Sequence, residues 1–159
     1  MILEKIKEKF LDDVYETHEF RGDLVAIVNK EIIRDLMKFL KSDPALDFNI
    51  LMDLTAVDYL KMERVPRFDM VYHLYSLQKN HRVRIKTGVD EEDLAIDSLT
   101  PIWPIANWFE REVWDMFGIK FKGHPNLKRI LLYDEFAGHP LRKDYPIRKR
   151  QPLVGPKNL

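Results

Sequence analysis

Four ionised side chains crowd one short stretch, Glu110, Arg111, Glu112 and Asp115. Carboxylates beside a cation are the raw material of acid–base catalysis, metal ligation or buried ion pairing. The two glutamates do not converge, because a helix turns about 100° per residue and sends them to different faces. Arg111 and Asp115 stand four apart and pair along the helix in the basic-first order, a bond worth only about 0.2–0.5 kcal/mol when exposed. From spacing alone, Glu110-Arg-Glu112 reads equally as a solvated face and as a docking face.

Two histidines follow in matching settings. Phe121-Lys-Gly-His124-Pro returns fifteen residues later as Phe136-Ala-Gly-His139-Pro. The first copy leads into Lys128 and Arg129, the second into Arg142, Lys143 and Asp144. Glycine before and proline after each histidine disfavour helix, so each copy reads as a rigid turn presenting an imidazole near a cation. With Asp115, Asp134 or Asp144 these rings have the chemistry of a small metal-dependent enzyme, but no HxH or HExxH spacing supports that reading. In the plainer alternative each ring nitrogen caps a turn or meets a carbonyl across an interface. GxGxxG, GxxxxGK[ST] and GxSxG are absent, so nucleotide binding and serine hydrolysis lack their mechanical parts.

The elements that position these groups are legible in outline. Asn107 is a good N-cap and Glu110 stands three residues on, which predicts a capping box. Gly118 then ends a helix of about three turns. Phe109, Val113, Met116 and Phe117 form its buried face, with the four ionised residues carrying the charge. Pro101-Ile-Trp-Pro104 brings the chain stiffly to it.

Upstream, Ile2, Leu3, Ile6, Phe10 and Leu11 recur at helical spacing and predict a helix ending near Asp13. Arg21-Gly-Asp23 is a turn and Leu24 to Val28 a strand. Asn29 caps a second helix with a buried face of Ile32, Ile33, Leu36, Met37, Phe39 and Leu40, closed by Ser42-Asp-Pro44. Phe48, Ile50, Met52 and Leu54 alternate as a half-buried strand. Phe68 to Leu77, a turn at Lys79-Asn80, and His81 to Thr87 complete three antiparallel strands. Asp90 to Asp93 reads as a solvated acidic turn. The fold class is α+β, two layers, with a small, largely antiparallel sheet and helices. A core domain spans 1–119 and an extended basic segment 120–159.

The net charge of zero hides a division. From Lys120 onward there are ten Lys or Arg against three Asp or Glu, and before it 16 against 23. The basic residues alternate with Pro, Leu and Ile, a pattern suited to lying over an acidic protein surface; a free-standing nucleic-acid-binding module is the rival reading. After Asp144, Pro146, Pro152 and Pro156 and the lack of periodicity predict a segment that is largely disordered in a free chain. No cysteine means no disulfide, no thiolate zinc site and no cysteine-ligated iron–sulfur cluster. No apolar run reaches a membrane span, and MILEKIKEKFLDD is too acidic for a targeting peptide, which points to a bacterial or archaeal cytoplasm.

Taken together, Glu110-Arg-Glu112, Asp115-Met-Phe-Gly-Ile119, Gly123-His-Pro125 with Leu127 to Leu131, and Gly138-His-Pro-Leu-Arg-Lys-Asp-Tyr-Pro146 resemble one signature. It is that of the C-type, or 30 kDa, subunit of the proton-pumping NADH:quinone oxidoreductase, respiratory complex I. About forty residues fit without a gap, and Leu99 to Trp108 resembles the family's approach to the helix.

The resemblance implies a subunit without a cofactor of its own, in the hydrophilic arm on the cytoplasmic side of the membrane. NAD, FMN, iron–sulfur clusters and quinone would belong to other subunits of the parent complex. The signature and the basic segment would pack against the large D-type subunit, which forms the quinone pocket with the B-type subunit. The interface residues implied are Glu110, Arg111, Glu112, Asp115, His124, Lys128, Arg129, His139, Arg142, Lys143 and Asp144. Related subunits also serve membrane-bound nickel–iron hydrogenases, the alternative within this class.

Overall fold

The computed structural model describes residues 1–152. The chain opens with α1 (Ile2–Phe10), whose Ile2 and Ile6 are buried. The helix stops before the expected Asp13: Leu11 takes a left-handed φ of 43° and a single 3-10 turn carries the chain onward. Next comes a strand that the sequence pattern does not announce, β1 (Val14–Phe20), paired antiparallel with β2 (Asp23–Val28). Arg21 and Gly22, at φ 53° and 86°, make the left-handed two-residue turn whose twist suits a hairpin. β1 is an edge strand with five of its seven residues exposed, so it has no buried face to set an alternation.

The side chain of Asn29 accepts from the backbone N–H of Glu31 at 3.1 Å, as expected of a cap, and a 3-10 turn leads into α2 (Ile33–Ser42). Ile33, Leu36, Met37 and Leu40 are its buried stripe. The sheet is then completed by β3 (Ile50–Asp58), β4 (Phe68–Ser76) and β5 (His81–Val89) in the order β1-β2-β5-β4-β3. Every pairing is antiparallel except that of β2 with β5, which is parallel. The alternation expected of Phe48, Ile50, Met52 and Leu54 is broken by a bulge between Leu51 and Asp53. Leu51, Leu54 and Ala56 therefore point inward and Met52 is exposed.

One face of the sheet meets the helices in a single core. Ala26, Val28, Met70, Tyr72, Leu74, Val83 and Ile85 from the strands join Ile6, Leu36 and Leu40 from the first two helices. Val113 and Met116 reach the same core from α3 (Ala106–Phe117), which packs on β3.

A small parallel ladder joins β6 (Ala95–Asp97) to β7 (Lys120–Lys122), with Ile96 and Phe121 buried between them. The division at residue 120, drawn from the change in charge, thus cuts through a strand pair. Residues 123–152 have no helix or strand but lie on the body that precedes them, through contacts described next.

Candidate functional site

α3 positions the charged cluster, but not as a capped helix. It begins at Ala106, one residue before the expected cap, and no side chain caps it. Asn107 is thus inside the helix, and Glu110 is free to turn inward. Its carboxylate accepts from the backbone N–H of Leu99 and from the Ser98 hydroxyl, both at 2.6 Å. The capping box is therefore replaced by a tie between the helix and the loop entering it. Glu110 is fully buried, and burial pushes its carboxyl up to about 7, against the pull of Ser98, the Leu99 N–H and Arg34.

Asp115 is also fully enclosed. One oxygen takes the Arg129 guanidinium at 2.6 Å; the other takes the backbone N–H groups of Ile130, Leu131 and Leu132 at 3.1, 2.9 and 3.0 Å. Burial alone would raise its pKa, but these donors outweigh it and hold the carboxyl below its usual range. The expected Arg111–Asp115 pair does not form. Arg111 instead donates to the carbonyls of Lys128 and Arg129 at 3.1 and 2.9 Å, and lies over the Trp108 ring. Local spacing favoured the four-residue pair; a bend of chain 14–18 residues further on supplies better-placed partners for both side chains.

The histidines take the plainer role anticipated for them, within the chain. Nδ1 of His124 accepts from the Asn126 N–H at 3.0 Å and its Nε2 reaches the Asn107 carbonyl at 3.2 Å. Nδ1 of His139 meets the Asp115 carbonyl at 3.0 Å. Its ring lies so close over Gly118, φ 83°, that a Cβ there would stand 2.8 Å from ring atoms. Gly118 is required both for the left-handed helix end and for that approach. Among the described residues no group of three or more His, Asp or Glu is arranged to hold a metal ion.

The second turn is fastened through residues that the sequence reading missed. Asp58, at the end of β3, binds Arg67 through both oxygens at 2.9 and 2.8 Å and accepts the Lys143 N–H at 2.8 Å. Arg67 also bonds Glu91 and Asp144, at 2.7 and 3.1 Å, and Arg142 closes the ring onto Glu91 at 2.7 Å. Arg67 first, then Arg142, hold Asp144 down at about 2 against the opposing effect of burial. The acidic turn is thus partly engaged: Glu91 joins this ring and Asp93 pairs with Lys30. Arg142, Lys143, Asp144 and the turn Asp90 to Asp93 carry a sequence signal; nothing around Asp58 or Arg67 marks them as partners of residues more than seventy positions away.

The eleven candidate side chains thus divide. Glu110, Asp115, His124, Arg129, His139, Arg142 and Asp144 are engaged within the chain, and Arg111 bridges α3 to the segment beside it. Glu112, Lys128 and Lys143 are exposed, and their side chains make no hydrogen bond or ion pair among the described residues. Ile105, Trp108 and Glu112 succeed one another along the outer face of α3, with Ile105 and Trp108 47% and 59% exposed. Leu131 and Leu141, on the segment that Asp115 and Met116 hold, are 63% and 52% exposed. This arrangement holds and presents; it pairs no nucleophile with a base.

The comparisons agree with one another. Residues 26–151 match the family model described as respiratory-chain NADH dehydrogenase, 30 Kd subunit. The C-type subunit of the NADH-quinone oxidoreductase of Geobacter sulfurreducens is 46% identical over 153 residues, covering 95% of this chain and 93% of its own. Its counterpart in Roseiflexus sp. is 49% identical over 146 residues, 92% and 83%. Among solved structures, a trypsin-resistant fragment (1-134) of Nqo5 superposes with a TM-score of 0.70 at 35% identity, covering 79% of this chain and 96% of that one. A chain of the membrane-bound sulfane sulfur reductase, an archaeal respiratory membrane complex, gives 0.75 at 27% identity, 92% and 85%. On the family match and on relatives this similar over nearly their whole length, the chain belongs to the 30 kDa subunit family of the respiratory-chain NADH dehydrogenase, complex I.

Proposed function

We propose that this chain is a non-catalytic subunit of the hydrophilic arm of NADH:quinone oxidoreductase, a scaffold that binds no cofactor and fixes its neighbours. Its outer α3 face and the segment beside it dock on the large D-type subunit, which with the B-type subunit forms the quinone pocket. NAD, FMN, the iron–sulfur clusters and quinone are handled by other subunits, and the chain lies on the cytoplasmic side of the membrane. In the described residues no helix is long and apolar enough to cross a membrane.

The observation that carries this reading is the division of charge around α3. Glu110 and Asp115 are consumed by internal partners, whereas Glu112, Lys128, Trp108 and Leu131 face outward. An exposed aromatic between a bridging arginine and an unpaired carboxylate is the make-up of a protein interface.

The test is to tag the N-terminus, solubilise native membranes gently and identify by mass spectrometry what accompanies the chain. Iron–sulfur subunits with an NADH-binding subunit and the D-type subunit are expected. A nickel-containing large subunit would move the chain to a hydrogenase, and the absence of any redox partner would overturn the reading. Identity of 46–49% to the C-type subunits, against 27% to the sulfane sulfur reductase chain, favours the first outcome.

A further inference from the structure

The helices cover one face of the sheet; the other carries a row of cations down its middle strand, β5. Val83, Ile85, Thr87 and Val89 point into the core. The alternate residues Arg82, Arg84 and Lys86 therefore stand on the outer face, about 7 Å apart.

On a solvated antiparallel face, charges are commonly met by opposite charges directly across the ladder. Here they are not. Opposite Arg82, Arg84 and Lys86 on β4 stand Tyr75, His73 and Val71, and opposite Arg84 and Lys86 on β2 stand Val25 and Ile27. The acids of this face lie off the row. Asp69 pairs with Arg64 at 2.6 Å and feels Lys86 only from a distance. Glu16 meets His18 at 2.9 Å, and Asp53 accepts the Leu54 N–H at 2.9 Å. Asp23 alone among the described residues pairs with the row, at Arg84, 3.2 Å away. Arg82 lies over the Tyr75 ring, and neither it nor Lys86 makes a hydrogen bond or ion pair among the described residues. Burial first, then the Arg84 charge, lowers the His73 pKa; Asp53 and Asp23 each oppose this less strongly than Arg84 acts.

One end of the face is closed, because Pro66 lies over Gly88, 2.2 Å from where a Cβ would stand. At the other end a cleft of about 360 Å³ opens among Asp23, Asp53, His73, Arg82 and Arg84, and Met52 beside them is 47% exposed. The floor beside the row is apolar, with Val25 and Val71 2% and 6% exposed. The chain before Lys120 has 16 basic residues against 23 acidic ones, so a cationic row here is not the overflow of a basic body.

We propose that this outer sheet face is a second docking surface, separate from that of α3, and that it takes an acidic segment of another subunit. Three cations with one ion pair between them, over an apolar floor, fit carboxylates spaced about 7 Å along one side of a chain, as alternate residues of a strand present them. The proposal rests on the scaffold reading above.

The test uses the assembled complex in native membranes. The photo-cross-linking residue p-benzoylphenylalanine replaces Met52 in one strain and Trp108 in another, and the cross-linked peptides are identified by mass spectrometry. The Met52 probe is expected to capture another subunit at a segment rich in Asp and Glu, and the Trp108 probe the D-type subunit. Arg82→Glu combined with Lys86→Glu should lower the Met52 cross-link at least about tenfold and leave the Trp108 cross-link unchanged. Should that double variant fail to fold, Arg82→Glu alone, at the more exposed position, is read in the same way.

Capture at Trp108 with none at Met52 overturns the proposal. So does capture at Met52 of a second copy of this chain, of lipid or of a segment without acids, or a Met52 cross-link that survives charge reversal. Capture of an acidic segment at Met52 alone keeps this surface and removes the α3 face. If neither probe captures a subunit, the scaffold reading falls and takes the proposal with it.

Discussion

Asp115 and Arg129 form an ion pair of 2.6 Å in which the acid is wholly enclosed and the guanidinium also donates to the carbonyls of Phe136 and Gly138, at 2.7 and 3.2 Å. The pair therefore joins the end of α3 to both histidine turns. Its value lies less in Coulomb attraction than in the number of donors left stranded if either side chain is lost.

Asp115→Ala is expected to destabilise the isolated subunit by about 3–5 kcal/mol, since it strands Arg129 and three N–H groups. Thermal unfolding should show a midpoint lowered by roughly 6–20 °C. Arg129→Lys should cost less but still be measurable, because an ammonium cannot reach the carboxylate and two carbonyls together. A midpoint within one or two degrees of the parent for Asp115→Ala would mean the bend is held by other contacts.

Glu110 gives the fold a pH dependence of known sign. Its carboxyl is raised from 4.5 to about 7, so between those values the folded state holds a proton that the unfolded state has released. Its contribution is thus fully present below about 4.5 and is lost as pH rises through about 7. Glu110→Gln keeps a group that can accept from the Leu99 N–H and face Ser98. The unfolding free energy from urea titrations between pH 5 and 8 should fall in the parent relative to the variant, by about 3 kcal/mol at most. Parallel curves across that range would show that the carboxyl titrates normally.

Gly118 and His139 should be coupled. Gly118→Ala incurs a left-handed backbone penalty of about 1–2 kcal/mol and also drives the ring off the Asp115 carbonyl. In a His139→Ala background only the backbone penalty remains. A double-mutant cycle is expected to show an interaction of about 0.5–3 kcal/mol; additive costs would refute the contact.

Glu112→Ala separates docking from folding. The side chain is exposed and unpaired, so stability should stay within about 0.5 kcal/mol of the parent. Recovery of the assembled complex and quinone reduction in membranes should fall together. Normal assembly with chemistry alone abolished would sink the scaffold role.

How much of this was legible in the sequence depended on whether the information was local. The second helix, the turn at Arg21-Gly-Asp23 and the hairpin at Lys79-Asn80 follow from side-chain period and turn residues, and they stand where expected. The edge strand β1 left no trace because nothing on it repeats in and out of a core. Met52 was misplaced by a bulge, which shifts the phase of a strand without changing its composition. At the site, the sequence marks Glu110 and Asp115 by type and spacing but not their partners. Glu110 and Asp115 were assigned to helix neighbours because only those lie within reach of a local rule, whereas their donors come from a loop 11–12 residues before and a bend 14–17 residues after. The role of the histidines was readable because glycine and proline fix a turn whatever surrounds it.

Asp115 grips peptide groups at positions 130, 131 and 132, and Asp58 does the same at 143. Neither acid reads the identity of the side chains there, so the path of the chain is set separately from what it displays. Substitutions at Leu131 or Lys143 can retune the chemistry shown to a neighbour without bending the mould, and proline is the one residue barred at all four places, because it has no N–H to give.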